Sequence, residues 1–146
     1  MIRAKNDMTI LMADDDPDDY CLVKDALMEN GLHNEFRHVS DGEHLMDCLS
    51  HPPLPGLILL DLNMPGKNGR EALREIKADP TLRHIPVIVF TTSSDIKDIV
   101  ECYRIGASSF IRKPDTFEDL VKTVSAFGAY WMNVAQLPVQ PPGCSW

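Results

Sequence analysis

Short apolar runs alternate with amphipathic segments along most of this chain, and no other feature narrows the fold so far. Residues 9–13, 57–60 and 87–90 are nearly unbroken apolar runs. Their length, without polar alternation, fits parallel strands covered on both faces. Residues 36–39 and 109–112 are weaker and partly polar, as suits strands at a sheet edge. Between the runs, apolar residues recur at helical spacing: Leu22, Val23, Ala26 and Leu27; then Leu45, Met46 and Leu49; then Ala72, Leu73 and Ile76; then Ile96, Ile99, Val100 and Tyr103. Gly31 and Gly106 follow the first and fourth of these segments, where helix C-terminal glycines belong.

Strict alternation of strand and helix predicts an α/β fold: a doubly wound, five-stranded parallel sheet with helices on both faces. Right-handed crossovers leave few other topologies. Three strong strands between two weak ones fit the flavodoxin-like order 2-1-3-4-5. Such sheets bind ligands beyond the carboxyl ends of their strands, at the switch point beside strand one.

Acidic residues stand at that end. Asp14 and Asp15 follow the first run directly, and Asp61 follows the third. The predicted topology brings all three into one pocket, where like charges are costly unless protons or a cation neutralise them. Hard carboxylate oxygens suit Mg²⁺. Taken alone, the run from Asp14 to Asp19 reads equally well as an acidic surface loop, and it lacks the glycine and terminal glutamate of a calcium-binding EF-hand. The placement of Asp61 favours the cation. Thr91 ends the fourth run and Lys113-Pro114 the fifth. A hydroxyl and an ammonium facing a carboxylate-bound cation are the groups needed to hold a phosphoryl. A cis bond at Pro114, in a tight turn, would fix where the lysine points.

Together these residues carry a family resemblance. The acidic pair Asp14-Asp15, the stretch from Asp61 through Asn63 to Gly69, Thr91 and Lys113-Pro114 make residues 8–125 similar to bacterial response-regulator receiver domains of the CheY-like kind. The resemblance implies a two-component phosphorelay protein with Asp61 as phosphoacceptor. It implies Mg²⁺ bound directly by Asp15 and Asp61, through water by Asp14, and by the backbone carbonyl of Asn63. Thr91 and Lys113 would contact the phosphoryl oxygens, and a sensor histidine kinase would donate it. Phe110 stands where the family keeps a switch aromatic, commonly Tyr; here the hydroxyl is missing, so any switch works through packing.

Bulk properties bound the alternatives. The 146 residues suit one domain, expected at 1–137 with a disordered tail at 138–146. With 14 Lys+Arg against 22 Asp+Glu the net charge is -8, which opposes nucleic-acid backbone or anionic membrane partners. Cys21, Cys48, Cys102 and Cys144 are scattered singly, suggesting neither zinc nor a disulfide framework but idle thiols in a reducing cytoplasm. No segment reads as a signal peptide or a membrane span.

From 116 to 137 the apolar residues Phe117, Leu120, Val124, Phe127, Trp131 and Val134, with Tyr130 beside them, repeat at spacings of three and four. That is an a/d seam on a long last helix, with Asp115 at its N-cap and Glu118 three residues on. At ~1.5 Å per residue such a helix outruns the face of a small sheet, so its far half folds over the domain's own core or meets a partner: a second copy or a docking kinase. This helix and the stretch Thr91 to Ser94 are similar to single-domain response regulators of cyanobacterial and bacterial phytochromes. Two rival readings are an aspartyl-phosphate phosphatase-like enzyme and a receiver fold that binds partners unphosphorylated. The first wants an Asp where Asn63 stands; the second predicts loss of a pocket residue, yet Asp14, Asp15, Asp61, Thr91 and Lys113 are all present.

Overall fold

The structure, a computed structural model, describes residues 8–138. Five strands, β1 (Ile10–Ala13), β2 (Phe36–Val39), β3 (Leu57–Leu60), β4 (Val87–Thr91) and β5 (Ser109–Arg112), alternate with five helices. The helices are α1 (Pro17–Glu29), α2 (Gly42–Leu49), α3 (Gly69–Ala78), α4 (Ile96–Ile105) and α5 (Phe117–Gly128), and a π-helical turn (Ala129–Val134) extends the last. The strands are parallel in the order β2-β1-β3-β4-β5. The apolar runs are the central, fully buried strands β1, β3 and β4, and the two partly polar runs are the edges.

Side-chain alternation in each central strand divides the core in two. Leu11, Ala13, Ile58, Leu60, Val87 and Val89 face α2, α3 and α4, packing on residues such as Leu45, Leu73 and Cys102. Ile10, Met12, Leu57, Leu59, Ile88 and Phe90 face α1 and α5, packing on Val23, Leu27, Val124 and Phe127. Every helix starts on a side-chain cap that satisfies an otherwise orphaned N–H: Asp16, Asp41, Asn68, Asp95 and Thr116 accept from the amides of Asp18, His44, Glu71, Lys97 and Asp119.

Four expectations need correction. The last helix is capped by Thr116, not Asp115, because it is the Thr116 hydroxyl that accepts from a first-turn amide, that of Asp119, at 3.1 Å. Its helical backbone ends at Val134 instead of 137, where Ala135 turns extended. The seam also divides: Leu120, Val124 and Phe127 are buried in the core shared with α1 and Trp131 packs on its margin, while Phe117, Tyr130 and Val134 stay exposed. Finally, the one cis peptide among the described residues joins Pro52 and Pro53, so Lys113–Pro114 is trans. The expected tail at 138–146 lies, after Pro138, outside the described residues, as does Cys144.

Candidate functional site

Strand register builds the site. Ala13 is level with both Val39 and Leu60, so the residues that follow, Asp14 and Asp61, leave adjacent strands at one height. Thr91 is level with Arg112, which puts Lys113 one step beyond it. The ladder itself holds three of these backbones. Asp14 N–H donates to the Val39 carbonyl (3.0 Å), Asp61 N–H to Ala13 (2.9 Å) and Lys113 N–H to Thr91 (2.7 Å). It is this ladder bond, instead of a cis proline, that aims the lysine.

The side chains converge. Lys113 Nζ lies 2.7 Å from Asp14 Oδ2, 2.7 Å from Asp19 Oδ2 and 3.5 Å from Asp61 Oδ2. Asp14, Asp15 and Asp61 each present a carboxylate oxygen within 4.8 Å of the others. Asp14 and Thr91 are completely buried and Asp61 nearly so, whereas Asp15 and Asn63 are exposed. Asp14 Oδ1 accepts from the Asp16 N–H (2.9 Å), and Asp61 Oδ1 accepts from the Asn63 N–H (3.3 Å). Asn63 therefore sits on the loop that folds over Asp61. Gly69, at the loop's end, is required by closeness: a Cβ there would lie 2.2 Å from the Asp61 carbonyl oxygen.

Two buried oxygens lack a well-directed donor or acceptor. Asp14 Oδ2 has only the close but poorly angled Lys113 ammonium, and Thr91 Oγ1 has no hydrogen-bond partner. Buried polar atoms normally find partners, so a ligand at this spot would satisfy both. The clustered carboxylates of Asp14, Asp15 and Asp61 fit a hard divalent cation, which takes oxygen ligands. Burial pushes the Asp14 carboxyl up to about 6, against the lowering by Lys113 and the Asp16 amide. For Lys113 burial works the other way, but the Asp14 and Asp19 carboxylates more than offset it and hold the ammonium above the usual lysine range.

Phe110 lies beside the site, level with Val89 and half-buried against the α2–α4 side of the core. Its backbone N–H donates to the Tyr103 hydroxyl on α4 (3.1 Å). The loop after Thr91 is tied to α3, since Asp98 takes Ser93 Oγ on one oxygen (2.7 Å) and the Arg70 guanidinium on the other. Sequence reasoning passed over two residues. Asp19 reaches Lys113 from the first turn of α1; its signal was its place in the acidic run, two residues into a helix beginning at Pro17. His38 Nε2 lies 2.7 Å from the Asp14 carbonyl oxygen, so the second strand also sends a polar group to this end of the sheet.

Comparison with known proteins agrees with this geometry. The response regulator receiver domain family matches residues 10–125. Response regulator Rcp1 of Synechocystis sp. is 36% identical over 135 residues, 88% of this chain and 92% of that protein. The crystal structure of the Mn²⁺-bound form of response regulator Rcp1 superposes with a TM-score of 0.84 at 36% identity, over 90% of this chain and 99% of that one. The phosphorylated cyanobacterial phytochrome response regulator RcpA gives a TM-score of 0.85 at 36% identity, over 90% and 98%. Sequence and fold thus point the same way, and this chain belongs to the response regulator receiver domain family.

Proposed function

We propose that this chain accepts a phosphoryl group on Asp61 from the phosphohistidine of a sensor histidine kinase. The observation that carries this reading is the convergence of Asp14, Asp61 and Lys113 from three strand ends. Mg²⁺ would be held by Asp14, Asp15, Asp61 and the Asn63 backbone carbonyl, and bound there it would neutralise charge at the transferring oxygens. Asp61 supplies the attacking oxygen. Its new O–P bond replaces the N–P bond of the phosphohistidine, and the leaving imidazole takes a proton from solvent. Lys113 takes charge on a phosphoryl oxygen, and Thr91 turns its unpartnered hydroxyl to another. As Thr91 moves inward, the half-buried Phe110 ring follows into the vacated space, a shift of populations already present.

Likeness to Rcp1 and RcpA supports a phytochrome-type kinase as the donor. The reading places a receiver domain at 1–137 in the cytoplasm; among the described residues no helix is long and apolar enough to cross a membrane. The exposed Phe117, Tyr130 and Val134, with the Trp131 edge, support a homodimer through the last helix. Acetyl phosphate with Mg²⁺ will add one phosphoryl to the intact mass of the protein and none to Asp61→Asn. Equal labelling of the two would defeat the reading.

A further inference from the structure

Three carboxylates share Lys113, and one of them comes from no strand end. Asp19 stands in the first turn of α1 and takes the ammonium at 2.7 Å in a hydrogen bond, while Asp61 is 3.5 Å away. The cap of α1 is Asp16, so the contact that Asp19 makes is with Lys113. Asp19 is also the one of the three outside the acidic cluster that fits a cation. Lys113 Nζ thus lies nearer to Asp19, and to Asp14, than to Asp61.

We propose that Asp19 is a positioning residue that holds the Lys113 ammonium off Asp61 and thereby restrains engagement of the phosphoryl donor. The inference rests on the phosphoacceptor reading above. With acetyl phosphate, an Asp61 oxygen bonds to phosphorus as the P–O bond to acetate breaks, and acetate leaves with the electron pair. One carboxylate replaces another, so no proton moves. The donor is an anion, and the Lys113 side chain, 10% exposed, is a cation within its reach. To use that cation the donor must compete with Asp19, whose own charge also repels it. Removing the Asp19 charge leaves Lys113 fixed by its ladder bond to Thr91 and by Asp14 at 2.7 Å. The lysine is freed without being set adrift.

The Asp19 side chain is 29% exposed, so the effect belongs to the range of partly screened ion pairs, about two- to fivefold. It falls on donor binding, because the competition is already present before transfer begins. The experiment follows labelling rate by intact mass against acetyl phosphate concentration, with Mg²⁺ present. Asp19→Asn will raise the rate at low donor by about two- to fivefold and lower the half-saturating concentration, with the limiting rate unchanged. Asp19→Ser, which removes the same charge with a smaller side chain, will behave alike. Asp19→Glu, which keeps a carboxylate, will track the wild type, and added salt will shrink the difference. A slower or unaltered Asp19→Asn beside a normally labelled wild type would overturn the role of Asp19 alone, since a purely structural anchor predicts slowing. A wild type that takes no phosphoryl would remove the phosphoacceptor reading and this inference together.

Discussion

Asp14 carries the pH dependence of the site. Its ordinary carboxyl value of 3.8 is raised to about 6, chiefly by burial, so between these values the folded protein binds a proton that the unfolded chain has released. Stability from this group is therefore greatest below about pH 4 and is lost as pH rises through about 6. Asp98 acts in the opposite direction: Arg70 and Ser93 lower it, so it favours the folded state more as pH rises. Comparison with Asp14→Asn isolates the first effect. Urea unfolding of the metal-free proteins will show wild-type stability declining relative to Asp14→Asn between pH 4 and 6, and Mg²⁺ will counter the decline, since its binding needs the ionised carboxylate. A flat difference would contradict the burial of that charge. The sequence fixes which residues end the strands, but it could not apportion the acidic run from Asp14 to Asp19. Five aspartates in six positions look alike until the start of α1 sorts them into a buried site residue, an exposed neighbour, a helix cap and a partner for Lys113.

At the level of elements, the strands were legible because a parallel strand buried on both faces needs an unbroken apolar run, and the three strongest runs are the three central strands. Start positions were harder to read. Asp115 and Thr116 are both good cap residues, and adjacent candidates differ only in which amide each can reach. Thr116 takes the Asp119 N–H at 3.1 Å. Thr116→Ala will cost about 1 kcal/mol in thermal or urea unfolding, and Asp115→Ala much less. A larger loss at Asp115 would return the cap to the earlier position. Nor could spacing alone tell which neighbour the last helix meets, because an a/d stripe looks the same against α1 as against a second chain. The observed division follows from length: the middle of the stripe, Leu120 to Phe127, lies on the α1 side of the core, while Phe117 before it and Tyr130 and Val134 beyond it are exposed.

For the molecule as a whole, that division separates stability from association. Phe127 is buried between α1 and α5 and Tyr130 is exposed three residues on, edge-to-face with Trp131. Phe127→Ala will destabilise the fold by about 3–5 kcal/mol. Tyr130→Ala will leave the unfolding midpoint unchanged and shift sedimentation toward the monomer; an unaltered concentration profile would exclude a dimer through this face. The Tyr103 hydroxyl narrows the choice of face further. By occupying the amide of Phe110 it plugs an otherwise free donor on a border strand, where another chain could have zipped on by backbone pairing. A chain meeting the β5 edge would therefore find one backbone bond fewer to make, and would be chosen more by its own side chains than by a readiness to extend the sheet, which almost any strand has.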